Sequence, residues 1–465
     1  MGTSPTTYGP AATRLLVLAV LVLPAAGAEA QSAANLNALR GLAPVSALDN
    51  SAAGKAALAA NLTITGAIQN GAAHRPTLLP FPEQQQQALR DAYITSGNAS
   101  GLADGLGSKL GGVYQTAAST TSTDDGNTVS VTNISPAVAR LIAYASLTTS
   151  SDSGSGKFFF ANATTDGAKP VSPDAIAILR AVNGTTDIFG KAYNLPAGSQ
   201  GADRFGDSRP FQTEPHFTPY SGKDFFAVQS DNISYLRGPT VARNLVDSPA
   251  YPSGHTTYGY SESLVLALLV PQRYGQMITR GAEYGDNRII IGAHYTMDVL
   301  GGRALALYDI AQLLANKPGY VAVARGGVQI DNFPDALAAA RADVTKALEA
   351  GCGNTVAACA KQDKSRFAQP ARNQAFYEVT QTYGLPVVFA QNAKGREDVG
   401  KLAPEAGYLL TAAFPALTLA QADAILTATE GPGGGFLDNG SAFGVYSRLD
   451  LYRAAEKAIA VAPTK

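Results

Sequence analysis

Two of the four histidines in this 465-residue chain, His255 and His294, stand close together in sequence beside residues that bind anions; the other two are His74 and His216. The first lies in Tyr251-Pro252-Ser253-Gly254-His255. The second lies in Arg288-Ile289-Ile290-Ile291-Gly292-Ala293-His294, with Asp298 just beyond. The Pro-Ser-Gly turn precedes a long apolar run from Tyr258 to Val270. That order reads as a turn feeding a helix start, where free N–H groups and the positive end of the helix dipole favour an anion. Ser253 and the Gly254 N–H would donate to that anion, with His255 standing over it. His294 and Asp298 are four apart, so on a helix the carboxylate lies beneath the imidazole and accepts its N–H, fixing the tautomer and raising its basicity. A histidine held this way can act as a nucleophile. Arg288 would not share its helical face and is expected to project from a bend at Gly285 or Gly292. A planar, permanently charged guanidinium suits a tetrahedral oxyanion.

Pro252-Ser253-Gly254-His255 and Arg288-x5-His294-x3-Asp298 resemble the second and third signature motifs of the type 2 phosphatidic acid phosphatase superfamily, which includes bacterial secreted acid phosphatases, lipid phosphatases and vanadium haloperoxidases. The family's first motif is a lysine, six residues, then Arg-Pro. Asp207-Ser208-Arg209-Pro210-Phe211 resembles its Arg-Pro end, but Ala202 stands at the lysine position. The nearest upstream bases are Arg204 and Lys191. Arg204 is five residues before Arg209, about 140° away on an ideal helix, so it can replace the lysine only if the chain bends, which Gly201 and Gly206 permit. The third motif usually opens Ser-Arg and here reads Asn287-Arg288.

The resemblance covers roughly 135–316. It implies a mainly α helical bundle of the type 2 phosphatidic acid phosphatase and vanadium chloroperoxidase type, with loop-rich insertions and the site between helices. It implies a metal-independent acid phosphatase in which His294 attacks phosphorus, Asp298 orients it and His255 protonates the leaving group. Arg209, Ser253, Gly254, Arg288 and Arg204 would hold the phosphate. No cofactor is expected, and vanadate should inhibit as a phosphate mimic. Two rivals share the scaffold: a vanadium-dependent haloperoxidase, for which vanadate would be the cofactor, and a non-catalytic secreted anion-binding protein. The missing lysine counts against the haloperoxidase more than the phosphatase, because in that class it contacts peroxide.

Lys and Arg total 35 and Asp and Glu 36, a balance that gives no reason to expect nucleic acid as a partner. Arg14, the apolar run Leu15 to Leu23 and Ala28-Glu29-Ala30 form a secretory signal pattern, so residues 1–30 are expected to be removed before Gln31 in a periplasmic or secreted protein. No later segment reaches membrane-spanning length. Cys352 and Cys359 are the only cysteines and are expected to form a local disulfide after export. Asp438 and Asp450 lack metal-ligand spacing, and no metal site is expected. The partner that the resemblance implies is a small phosphate monoester.

Around the site the chain divides into an N-terminal helical and loop collar at 31–134, a catalytic domain at 135–320 and a C-terminal helical region at 321–465. Helices are expected at Pro82 to Tyr93, after Ser135-Pro136, after Ser172-Pro173-Asp174, along Val299 to Asn316, over 333–350, Asn373 to Tyr383, after the Thr418-x-x-Gln421 capping box and at Asp450 to Val461. Asp124-Asp125-Gly126-Asn127 before Val129 and Val131 reads as a hairpin or loop. The three phenylalanines after Lys157 read as core. His216, in a loop, reads as simply exposed.

Overall fold

The structure, a computed structural model, describes residues 33–122, 129–131, 133–163, 171–214, 217–238 and 244–462. The signal pattern, Asp124 to Asn127 and His216 lie outside them.

Among these residues the fold is mainly α. In chain order the first helices are α1 (Ala33–Leu42), α2 (Ala52–Gln69), α3 (Phe81–Ala92), α4 (Leu110–Ala117) and α5 (Pro136–Phe160). Then come α6 (Pro173–Ala181), α7 (Ile188–Ala192), α8 (Pro210–Thr213), α9 (Asn232–Leu236), α10 (Gly254–Leu269), α11 (Tyr274–Ile290) and α12 (Thr296–Leu314). The C-terminal part begins with α13 (Phe333–Cys352), α14 (Val356–Ala360), α15 (Pro370–Val379) and α16 (Val399–Leu402). It ends with α17 (Tyr408–Thr411), α18 (Leu419–Thr429), α19 (Ala442–Tyr446) and α20 (Leu451–Val461). Two short antiparallel pairs complete it, Thr120–Ser122 with Val129–Val131 and Ser221–Lys223 with Gln229–Asp231.

Local chemistry sets the starts. Ser135, Ser172, Ser253 and Thr418 each cap a helix, their hydroxyl oxygens accepting from the backbone N–H three residues on. Helix α10 carries apolar residues on every face and is correspondingly buried all round; it packs against α5, α11 and α12, the four forming the centre of the bundle. Helix α3 covers α11, α13 covers α5 and α10, and α20 covers α11, so N- and C-terminal helices wrap the centre. One apolar cluster runs from Leu78 to Ala462 and a second from Ala38 to Phe443. Cys352 and Cys359 are disulfide-bonded. No helix among the described residues is long and apolar enough to cross a membrane.

Two local expectations need correction, and one helix runs further than its apolar spacing marked. That helix is α5. It continues through the Ser150 to Gly156 stretch to Phe160, because Asp152, Ser153 and Gly156 are buried against neighbouring elements and packing outweighs the poor helix propensity of serine and glycine. Arg288 does not leave a bend but sits in the last turn of α11. The bend follows it at Gly292, whose φ is +88°. His294 and Asp298 do not share a helix, since His294 precedes α12 and Asp298 lies in its first turn, where Oδ2 accepts from Tyr295 N at 2.8 Å.

Candidate active site

The three motif regions are tied together by hydrogen bonds to backbone groups. Asp207 Oδ2 accepts from Tyr251 N at 2.8 Å, and Ser253 N donates to Asp298 O at 3.0 Å. Arg209 Nη1 donates to Ala293 O at 2.9 Å, while its Nε and Nη2 donate to Ser248 O and Pro249 O. The Arg-Pro segment therefore braces both the turn before α10 and the loop before α12. That loop depends on Gly292: beyond its left-handed φ, a Cβ there would collide with the Phe217 ring. The chain then turns so that His294 N and Ala293 N both donate to Arg288 O, at 3.2 and 3.0 Å.

Inside this frame the two histidines meet. His255 Nδ1 is 3.3 Å from His294 Nε2, and His294 Nδ1 is 3.3 Å from Asp298 Oδ2. Arg209 Nη1 lies 3.0 Å from His294 Nε2, and the Tyr235 hydroxyl lies 2.9 Å from His255 Nε2. One set of protons satisfies every contact: Tyr235 O–H donates to His255 Nε2, His255 Nδ1–H to His294 Nε2, and His294 Nδ1–H to Asp298. His294 thus points a lone pair from Nε2 to the place where Arg209 and His255 converge.

The electrostatics are those of a site arranged for negative charge. Burial holds both imidazoles well below their ordinary pKa. For His255 the cations Arg288, Lys157 and Arg209 push further in the same direction, and for His294 so do Arg209, His255, Lys157 and Arg288. Burial pushes Asp298 up to about 7 despite the Tyr295 N–H, Arg209 and Lys157. Arg288 is fully buried, with its guanidinium 4.6 Å from the Tyr284 ring centre, and Nη2 reaches Ala88 O at 3.4 Å. Its Nε and Nη1 have no hydrogen-bond partner among the described residues. A buried cation with spare donors beside neutral histidines is an incomplete arrangement that an oxyanion completes.

The structure brings together His255, His294, Asp298, Arg209, Arg288, Ser253 and Gly254. It does not bring Arg204 to them. That residue is exposed, its guanidinium 4.6 Å from the ring centre of Phe205, and it lines a separate surface hollow of about 650 Å³ with Asn162, Asp187 and Lys191. The turn between Asp203 and Gly206, held by Asp203 Oδ1 accepting from Phe205 N and Gly206 N, carries it outward. Sequence reasoning missed Tyr235, a lone tyrosine in a loop-rich region with no spacing signal, and Lys157, hidden behind a serine- and glycine-rich run. Cys352 and Cys359 lie on α13 and α14, away from these residues in the chain.

Residues 196–315 match the PAP2 superfamily. Over 64 residues the chain is 45% identical to an acid phosphatase of Zymomonas mobilis subsp. mobilis, covering 14% of this chain and 24% of that protein. Over 75 residues it is 40% identical to a non-specific acid phosphatase of Salmonella typhimurium, 16% of this chain and 30% of the relative. A non-specific acid phosphatase of Providencia stuartii is 39% identical over 67 residues, 14% of this chain and 27% of its own length. The chain thus spans less than a third of the length of these curated relatives.

Proposed function

From the match of residues 196–315 to the PAP2 superfamily, we propose that this chain is an exported, metal-independent acid phosphatase acting on phosphate monoesters through a phosphohistidine. The observation that carries the reading is the His294 Nε2 lone pair, backed by Asp298 and aimed between Arg209 and His255. The names of the relatives, acid phosphatases, support it.

In this reading the phosphoryl group enters above the N-terminus of α10. Arg288 Nε and Nη1, the Ser253 hydroxyl and the Gly254 N–H receive its oxygens, with Arg209 alongside; such fixed donors contribute much of the rate in phosphoryl transfer. His294 Nε2 forms a bond to phosphorus as the bond to the leaving oxygen breaks, and His255, protonated, gives that oxygen its proton. His255, now neutral, takes a proton from a water whose oxygen attacks the phosphohistidine, releasing phosphate and restoring His294. Asp298 accepts the Nδ1–H throughout and stabilises the positive charge that His294 gains. No step requires a metal, and orthovanadate should compete with substrate. Export is supported by the Arg14 to Ala30 pattern and the Cys352–Cys359 disulfide.

The test is phosphate release from an aryl phosphate at mildly acidic pH with EDTA present, comparing the parent with His294→Ala. Turnover in the parent that falls about 10³-fold or more in the variant is expected, together with a denaturation-resistant phosphate label in the parent alone. A parent that is inactive, or a variant that keeps its rate, would sink the reading. Expressed with its full N-terminus, the exported product should begin at Gln31; retention of residues 1–30 in it would remove the leader.

A further inference from the structure

The motif position that should carry a lysine holds Ala202, and Arg204 faces elsewhere, yet the site contains a lysine from another helix. Lys157 occupies the last turn of α5. A Cβ built on Gly254, the first residue of α10, would lie 3.6 Å from Lys157 Cε and 3.8 Å from Nζ. The ammonium therefore overhangs the helix start at which the anion site was located.

Helix packing puts it there. Gly156 is buried against the Pro252 turn, where a Cβ would come within 3.1 Å of Pro252 Cδ, and Ser153 Oγ would lie 3.4 Å from a Cβ on Gly254. Small residues on this face of α5 let the helix approach Pro252-Ser253-Gly254 closely enough for the next side chain to reach over it. Lys157 faces charged groups on several elements. Those are Arg209, Asp207 and Asp203 from the Arg-Pro segment, Asp298 from α12, and His255 and His294, both of which feel its charge.

We propose that Lys157, reaching in from α5, supplies the ammonium that binds a phosphoryl oxygen in this site, in place of the lysine missing at Ala202. The inference rests on the phosphatase reading for its ligand, a phosphate or its mimic, but not on turnover. Burial and the neighbouring Arg209 bring the Lys157 pKa down to about 7, with Asp207, Asp298 and Asp203 opposing. A bound anion adds a nearby negative charge and favours the charged ammonium, so anion binding above neutrality should take up a proton.

The experiment is calorimetric titration of the 31–465 protein with inorganic phosphate and with orthovanadate, over a pH series. It uses the parent, Lys157→Gln, Lys157→Met, Lys157→Arg and Arg204→Gln, with thermal melts to show that each is folded. The neutral variants should bind about 10- to 100-fold more weakly, as expected for loss of one charge-assisted contact. Lys157→Arg should recover most of that loss, and Arg204→Gln should bind like the parent. The parent's affinity should decline as pH rises through about 7, and this limb should be absent in Lys157→Gln. Parent-like affinity in folded Lys157→Gln and Lys157→Met, or a comparable loss in Arg204→Gln, would overturn the proposal. Lys157-dependent binding without hydrolysis of an aryl phosphate would remove the phosphatase reading and leave this one standing. Hydrolysis with Lys157-independent binding would do the reverse.

Discussion

At the scale of single residues, four side chains form one hydrogen-bonded series, Tyr235, His255, His294 and Asp298, and the protons in it are fixed from both ends. The two histidines in its middle are both neutral in this setting, which sets the pH behaviour of the proposed reaction. His255 must be protonated to act as an acid, yet burial, then Arg288, Lys157 and Arg209, hold it well below 6.5. A depressed pKa means that the acid form is populated only at low pH, so kcat/KM should rise as pH falls below about 6.5. A rate profile across pH 4 to 9 checks this, and His255→Gln should be slower by about 10²-fold or more with that limb flattened. An unchanged limb in the variant would assign it to another group. Lys157, at about 7, acts on anion affinity and so on KM, and kcat measured at saturation isolates the His255 contribution from it.

The element that decides the site's shape is α5, because its small residues allow it to lie against the Pro252 turn. Gly156→Val should cost about 1–3 kcal/mol by overpacking and should also raise KM, since α5 would be displaced together with Lys157. A chemical melt and a kinetic comparison give the two numbers; a loss of stability with KM unchanged would detach α5 from the site. The same element shows why the sequence was only partly legible. Arg209, Ser253, His255, Arg288, His294 and Asp298 could be recognised because each lies in a short stretch whose spacing survives in the fold. Lys157 could not, since nothing local indicates that Ser150 to Gly156 is helical; that follows only from the Pro252 turn, about a hundred residues later, packing on it. The His294–Asp298 contact was foreseen from the spacing, but a helix cap delivers it rather than a continuous helix, a difference invisible to residue counting. Helix α12 was placed almost to its ends by its apolar period, whereas Arg204 was misplaced because the chain does bend, at the Asp203 to Gly206 turn, but in the direction that carries it away from the site.

Across the whole molecule, buried acids tie stability to acidity. Glu262 is fully buried, accepts from Ser146 Oγ and Gly97 N, and is pushed up by burial to about 8. Asp152 is likewise pushed up by burial to about 6 beside Asp309. A carboxyl raised in the folded state binds more protons there than in the unfolded chain, so its stabilisation is full below the unfolded value of about 4 and is lost as pH rises through the folded one. The melting temperature should therefore fall between pH 5 and 8, and Glu262→Gln should lessen the slope; an unaltered slope in that variant would exclude Glu262 as a source. Burial also governs α11, which carries Arg288. Arg280 on that helix binds Asp91 and Asp104, Asp286 binds Arg75, and Glu283 binds Arg366 from the C-terminal region. These partners all lie outside the stretch matched by the family. Cut from its flanks, α11 would keep buried charges without their counterions, a loss that typically costs several kcal/mol for each pair broken. The part of this protein that resembles its relatives is thus not a transferable module: a chimaera that grafts 196–315 into another scaffold must also import acceptors for Arg280 and a cationic donor for Asp286.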